Sequence, residues 1–228
     1  MSNDKGRKNN LLYDTLNYIY YLIGVNICFL FSNILFIIAI FTLKIEFQNT
    51  IFFILALIPG GPSITALFSV IGKLIREKDI RPFKDYIEAY KLNFIDSMKV
   101  WSIQLLILII VILDIRYMLI SENIILITLF KPLIFISGII VSISIYLYAI
   151  LSRFKLSMKD LIKVSVMYTF KKLPLSLISL FVLVGITFLS LVRAQILMPA
   201  LPVIIVYLLM LGQMSTLNEI EDLIITTE

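Results

Sequence analysis

Runs of about 20 apolar residues with almost no charge limit the folds that are open to this chain, because a helix of that length crosses the hydrocarbon layer of a bilayer. The hydrophobic share of 60% and the mean hydropathy of +1.01 exceed what an ordinary soluble domain contains. We predict an all-α, polytopic membrane protein with a single transmembrane domain at 16–214. Its spans are expected near 16–43, 50–75, 98–120, 131–151, 173–192 and 197–214.

The distribution of Lys and Arg predicts the orientation of the chain, because short loops rich in these residues stay in the cytoplasm. All but Lys44, Arg116, Lys131 and Arg193 of the 20 basic residues fall in the N-terminal segment, the second loop or the fourth loop. With six spans, both termini are then cytoplasmic, and these are the basic tail at 1–15 and the acidic tail at 215–228. The positive net charge follows from this topology and from contact with lipid headgroups, so no nucleic-acid partner is expected.

Both long cytoplasmic loops carry an amphipathic helical pattern, near 82–95 and near 157–170. In the second loop, Ser157 and Asp160 have the spacing of a helix N-cap. Such helices lie in the headgroup layer of the lipid bilayer, pack on their own chain, or dock on a partner protein. The candidate docking residues are Phe83, Tyr86, Ile87, Tyr90, Phe94, Leu161 and Phe170.

Two features of these loops indicate a weak internal repeat of span, interfacial helix and span. Each loop contains a Lys-Asp pair, Lys84-Asp85 in the first and Lys159-Asp160 in the second. Each loop also reaches a phenylalanine, Phe94 or Phe170, shortly before the next span.

The sequence Pro59-Gly60-Gly61-Pro62 interrupts the second span. Non-helical backbone persists inside hydrocarbon only where protein or a wet cavity meets it, and Pro62 favours the start of a new helix. A helix that starts there would aim the positive end of its dipole into the bilayer, a geometry that transporters use to bind anionic or polar groups. The alternative is a kink whose glycines let a neighbouring helix approach closely.

Uncharged polar residues inside the spans complete the set of candidate site residues. Asn26 and Asn33 lie seven residues apart in the first span, and Gln104 lies in the third. Buried amides of this kind usually form hydrogen bonds between helices, and only sometimes line a substrate path. The candidates for a polar ligand site or a helix-packing site are Asn26, Asn33, Gly60, Gly61, Pro62, Ser63 and Thr65.

The sequence offers little chemistry for catalysis. It contains no His and one Cys, which excludes imidazole catalysis and His-ligated metal sites. It contains no pair of carboxylates within a span, no nucleotide-binding glycine loop and no Ser-nucleophile motif. We therefore expect no enzyme activity, no catalytic residues, no metal site and no cofactor.

Three stretches of the chain resemble the YesL family of small bacterial membrane proteins. They are the surroundings of Asn26, the segment 60–67 with the sequence Gly-Gly-Pro-Ser-Ile-Thr-Ala-Leu, and the basic loop that contains Phe83, Tyr90 and Phe94. The resemblance runs from about Leu16 to the sixth span and is most specific at 60–67. The second half departs from the family pattern and matches mainly by hydropathy, so the chain looks like a divergent member.

The resemblance implies a role in carbohydrate uptake. Members of the YesL family are typically encoded beside carbohydrate-uptake ABC transporters and polysaccharide-degrading enzymes in Gram-positive bacteria. A non-catalytic accessory subunit of an oligosaccharide ABC importer is thus expected, in the bacterial cell membrane and with ABC permease subunits as partners. The alternative is an autonomous facilitative carrier or channel that uses the broken second helix as its site.

Overall fold

The computed structural model describes residues 2–44, 46–120, 124–192 and 195–225. Within these ranges the regular secondary structure is entirely helical, so the prediction of an all-α fold is confirmed. Short 3-10 turns lie at Phe47–Asn49 and at Gln195–Ala200. The α-helices are α1 (Ser2–Ser32), α2 (Ile34–Thr42), α3 (Thr50–Ala56), α4 (Gly60–Glu77), α5 (Pro82–Ile120), α6 (Ile124–Leu151), α7 (Met158–Lys171), α8 (Leu173–Val192) and α9 (Leu201–Ile225).

Six segments of the described chain are long and apolar enough to cross a membrane. This number agrees with the prediction and defines a multi-pass membrane protein. The segments are Thr15–Ser32, Thr50–Glu77, Pro82–Met118, Thr128–Leu151, Leu173–Val192 and Met198–Leu223.

Helix α4 is the centre of the bundle, because it packs against α1, α5, α6 and α9. Small residues on its surface let the neighbouring helices come close. At Gly72, for example, an added Cβ would lie 2.6 Å from Cε of Met210 on α9. Towards α6, the ring of Phe68 stacks on that of Tyr148 with 6.3 Å between the ring centroids.

Only one of the two predicted interfacial helices is a separate helix in the structure. The segment 82–95 is not a separate helix, since it forms the first turns of α5, which has 39 residues and a length of about 58 Å at 1.5 Å per residue. Helix α7 is separate and begins at Met158 after an N-cap in which the Ser157 hydroxyl accepts a hydrogen bond from the backbone N–H of Asp160. The predicted N-cap is therefore confirmed.

The first and last spans also differ from their predicted bounds. The predicted span 16–43 is divided at Asn33, where α1 ends and α2 begins. The predicted end of the last span at 214 lies inside α9, which continues to Ile225, so that the described part of the acidic tail is helical. Residues 226–228 of that tail, and Arg193, lie outside the described residues.

Contacts between distant charged and polar residues bring several chain segments to one end of the bundle. The hydroxyl of Tyr21 on α1 donates a hydrogen bond to Asp79 at 2.7 Å, in the loop that follows α4. Arg153, which follows α6, forms an ion pair with Glu221 on α9. The loop after α6 also contacts Asn93 near the beginning of α5. The start of the first span, the two basic loops and the end of α9 thus lie on the same side of the spans, as the distribution of basic residues predicts.

Candidate functional site

The break in the second span lies at 57–59, between α3 and α4. The predicted interruption exists, but it lies earlier than expected, because Gly60, Gly61 and Pro62 form the first turn of α4. The break leaves the Leu57 carbonyl at the end of a helix, and this oxygen accepts hydrogen bonds from the Gly60 backbone N–H at 2.9 Å and from Nε1 of Trp101 at 2.7 Å. A side chain of α5 thereby gives the Leu57 carbonyl oxygen, which has two lone pairs, a second donor where hydrocarbon offers no water.

The glycine pair provides the space in which Trp101 packs. A Cβ added to Gly60 would lie 2.9 Å from the Trp101 ring, and one added to Gly61 would lie 2.3 Å from Cβ of Trp101 and 3.0 Å from the Ser97 carbonyl oxygen. Only glycine permits this approach of α5 to α4. The geometry therefore supports the helix-packing interpretation of the pair.

Hydroxyl groups from three helices meet one turn after the glycine pair. Oγ of Ser63 on α4 lies 2.7 Å from the Pro59 carbonyl oxygen and 3.1 Å from Oγ of Ser32 on α1. The Tyr86 hydroxyl of α5 lies 2.9 Å from the same Ser32 oxygen and donates to the Ser63 carbonyl at 3.3 Å. Ser63 and Tyr86 are 0% and 3% exposed, so this network joins α1, α4 and α5 inside the bundle.

A second pair of hydroxyls links α4 to α5 beside the first. The Thr65 hydroxyl donates to the Gly61 carbonyl at 3.1 Å and accepts from the Ser97 hydroxyl at 2.8 Å. The beginning of α4 is closed in the same way: the Ser63 N–H donates to the Pro59 carbonyl, and Pro62 has no N–H to offer. The arrangement holds two helices together and leaves few free donors for an anionic ligand.

The amide side chains of Asn26, Asn33 and Gln104 have different roles. Asn26 donates from Nδ2 to the Pro199 carbonyl at 3.0 Å and so ties α1 to the turn before α9. Asn33 donates to the Phe29 carbonyl of its own helix at 2.8 Å, at the break between α1 and α2. Gln104 accepts from Tyr148 and donates to Ser144 on α6, so the prediction that it links helices is confirmed.

The docking candidates divide into buried and exposed residues. Tyr86 and Leu161 are buried, which corrects their prediction as docking residues: both stabilise the fold and offer no surface to a partner. Tyr90 is half-buried and its ring packs against that of Phe94. The members with large exposed areas are Phe83, Ile87, Phe94 and Phe170.

An open groove of about 390 Å³ lies between α1 at 27–32 and α5 at 83–91. Its walls are almost entirely apolar and include Phe31, Phe83 and Tyr90; Lys91 is its charged residue. The candidate docking residues of α5 thus flank a groove that α1 completes, an arrangement that the α5 pattern alone does not reveal.

A charged cluster joins the end of α7 to α9 at the end of the bundle that holds the basic loops. Lys171 and Lys172 both contact the carboxylate of Glu219 on α9, and the buried ring of Tyr168 lies 5.2 Å from the Lys171 ammonium. The hydrogen bond to Glu219 raises the pKa of Lys171. Burial, followed by the charge of Glu219, raises the pKa of the Tyr168 hydroxyl. The acidic tail is therefore partly neutralised by the fourth loop.

The structure adds residues that sequence reasoning missed. Trp101, Ser97 and Ser32 complete the networks at the break, and the one tryptophan of the chain was a signal that could have been used. Gln213 and Thr216 are 0% exposed on α9, and their side-chain polar atoms have no protein partner. Among the described residues, no cluster of Cys, Asp and Glu could hold a metal ion.

The fold and the closed helix break define a multi-pass helical membrane protein whose polar residues mainly join helices. Residues 22–115 match the family model described as "Protein of unknown function, DUF624". This range includes the break, the glycine pair, Trp101 and both walls of the groove. No curated protein and no solved structure matches the chain.

Proposed function

We propose that the protein is a non-catalytic accessory subunit of an oligosaccharide ABC importer. The resemblance to the YesL family supports this role, and the match of residues 22–115 to DUF624 supports the resemblance, because YesL proteins contain that domain. The proposal places the protein in the cell membrane of a Gram-positive bacterium with both termini in the cytoplasm. The partners are the permease subunits of the importer.

The observation that carries the proposal is the uncovered face of the first turns of α5. Leu92 and Ile95 are 69% and 68% exposed, and they share this face with the charged residues Lys84, Glu88 and Lys99. Large apolar side chains mixed with charges suit a helix that docks on another protein at the membrane surface. The helices in the described part of the chain leave this face open.

The test is affinity purification of the tagged protein from its native membrane in mild detergent, followed by mass spectrometry. We expect the two permease subunits and the ATPase of a carbohydrate importer to remain bound. Leu92→Glu combined with Ile95→Glu should abolish their recovery. Ile225→Glu is the control, because Ile225 is a similarly exposed apolar residue, at the end of α9.

Two results would contradict the proposal. Recovery of the unmodified protein without importer subunits would remove its main expectation. Equal recovery with the α5 double variant and the Ile225 variant would show that this face is not the docking surface. Tyr86 is unsuitable for such a test, because its replacement would disturb the buried hydroxyl network.

An autonomous carrier or channel at the broken helix has less support from the geometry. Trp101 fills the space beside Gly60 and Gly61, and the groove described above has no residue of 57–63 in its walls. Sugar flux into vesicles that contain only this protein would favour the carrier. Absence of flux would leave the accessory role as the proposal.

A further inference from the structure

We propose that the groove between α1 and α5 binds one anionic phospholipid. In this arrangement an acyl chain lies between the two helices and the phosphate lies against Lys91. The volume of about 390 Å³ is within the range of small-molecule sites, about 300–1,000 Å³. The walls at Ile27, Phe31 and Phe83 provide apolar contact along both helices.

The charge of Lys91 selects an anionic ligand. The neighbouring lysines of α5 are paired on their own helix, Lys84 with Glu88 at 3.7 Å and Lys99 with Asp96 at 3.2 Å. Lys91 has no carboxylate partner among the described residues, and it lines the groove. An unpaired ammonium beside an apolar groove complements a ligand with an anionic head and an apolar tail.

The surroundings of the groove favour a lipid. Exposed apolar residues and a charged residue share the side of α5 that faces the groove, at Phe83, Ile87 and Lys91. This mixture is typical of a helix at the boundary between hydrocarbon and headgroups, where lysine side chains reach towards phosphates. The groove thus lies where the acyl chains and headgroups of a leaflet meet.

A second groove in the bundle differs from the groove between α1 and α5 in the charge of its walls. It lies between α6 at 134–142 and α8 at 173–184, and it is larger, about 690 Å³. Its walls contain no charged residue, so it offers an apolar surface to any lipid tail. Of these two grooves, the one beside Lys91 is the one expected to select lipids by charge.

The test measures lipid retention by native mass spectrometry of the full-length protein in detergent. The probes are phosphatidylglycerol and phosphatidylcholine with the same acyl chains. We expect one retained lipid per chain and a preference of about five-fold for phosphatidylglycerol, the ratio that one lysine near the surface provides. Lys91→Gln should make the two lipids equal, whereas Lys84→Gln, two turns away on the same helix, should leave the preference unchanged.

A second variant tests the apolar part of the site. Ile27 is half-exposed on the wall contributed by α1, so Ile27→Trp should fill the groove and abolish retention of both lipids, with the helical circular dichroism signal unchanged. If Lys91→Gln and Lys84→Gln lost the preference equally, the proposal would be overturned, because diffuse surface charge would then explain the preference for phosphatidylglycerol. Full retention by Ile27→Trp would also overturn it, since the lipid would then lie elsewhere.

Discussion

At the scale of single residues, Trp101 and the glycine pair determine how α4 and α5 meet. The indole donates to the Leu57 carbonyl at the break, and its Cβ occupies the space that a side chain at Gly61 would need. The Leu57 carbonyl already accepts from the Gly60 N–H, and in hydrocarbon no water can bond to its second lone pair. The same contact therefore fills the space beside the glycine pair and gives the carbonyl at the break a second donor.

We expect Gly61→Ala to destabilise the protein. The new Cβ would lie 2.3 Å from Cβ of Trp101 and 3.0 Å from the Ser97 carbonyl oxygen, and backbone atoms move little, so the overpacking should cost about 1–3 kcal/mol. The measurement is the midpoint of thermal unfolding in detergent micelles, followed by circular dichroism.

Gly138→Ala is the matched control for this prediction. Its Cβ would lie 3.5 Å from Cδ2 of Leu180, an ordinary contact, and alanine favours a helix over glycine. Its unfolding midpoint should equal or exceed that of the unmodified protein. A Gly61→Ala midpoint as high as that of Gly138→Ala would show that α5 has room to move away from α4.

At the scale of elements, one proline explains why the two similar loops fold differently. Helix α7 ends at Lys171, and Pro174 lies in the first turn of α8. Proline disfavours helical backbone at the preceding residue and lacks the N–H needed to continue the helix. Residues 83–120 contain no proline, so the amphipathic segment and the span fuse into α5.

Asp85 fixes the beginning of α5. Its carboxylate accepts a hydrogen bond from the Arg81 backbone N–H at 3.0 Å and pairs with Lys73 of α4 at 3.0 Å. We expect Asp85→Ala to lower the stability by about 1–2 kcal/mol, because the helix loses an N-terminal cap and its tie to α4. The thermal unfolding midpoint in micelles measures the loss.

Glu88→Ala provides the comparison for Asp85. Glu88 pairs with Lys84, and both side chains are mostly exposed, so the pair should contribute little. Its variant should unfold near the midpoint of the unmodified protein. If the two variants unfolded at the same midpoint, the cap and the contact with Lys73 would not be the reason that α5 begins where it does.

At the scale of the whole molecule, ion pairs join segments that are distant in the chain. Arg153 contacts Glu221 and donates to Asn218 at 2.9 Å, so the loop after α6 holds the end of α9. The Arg153 side chain is 13% exposed, and a charge in such a position is stabilised mainly by its partner. Replacement of one partner should therefore disturb the entire end of the bundle.

A charge swap tests this arrangement. Arg153→Glu should destabilise the protein by about 2–3 kcal/mol, less than the loss at a fully buried pair because Glu221 is partly exposed. Adding Glu221→Arg should recover most of the loss in thermal unfolding. A double variant no more stable than Arg153→Glu alone would show that the contact between Arg153 and Glu221 does not stabilise the fold. As a control, the same charge swap at Lys84 and Glu88 should leave the unfolding midpoint nearly unchanged.

The sequence by itself determined the class of this protein and the order of its spans. Apolar length is a local property, because each segment must cross the same thickness of hydrocarbon. The distribution of basic residues likewise predicted which segments lie at the same end. The proline and glycine pattern at 59–62 located a break in the second span to within a few residues. These predictions needed no knowledge of which helices touch.

Only the tertiary structure decided what the polar and aromatic residues do. The pattern on α5 placed Tyr86 on an exposed stripe, yet the fold buries it beside Ser32 and Ser63. The face of α5 that its neighbours cover contains Ala89, Asn93 and Ser97, whereas larger apolar side chains on other faces stay exposed. Small side chains are covered because they allow closer packing of helices in a membrane. Partners distant in the chain decide such contacts, and periodicity within one helix carries no information about them.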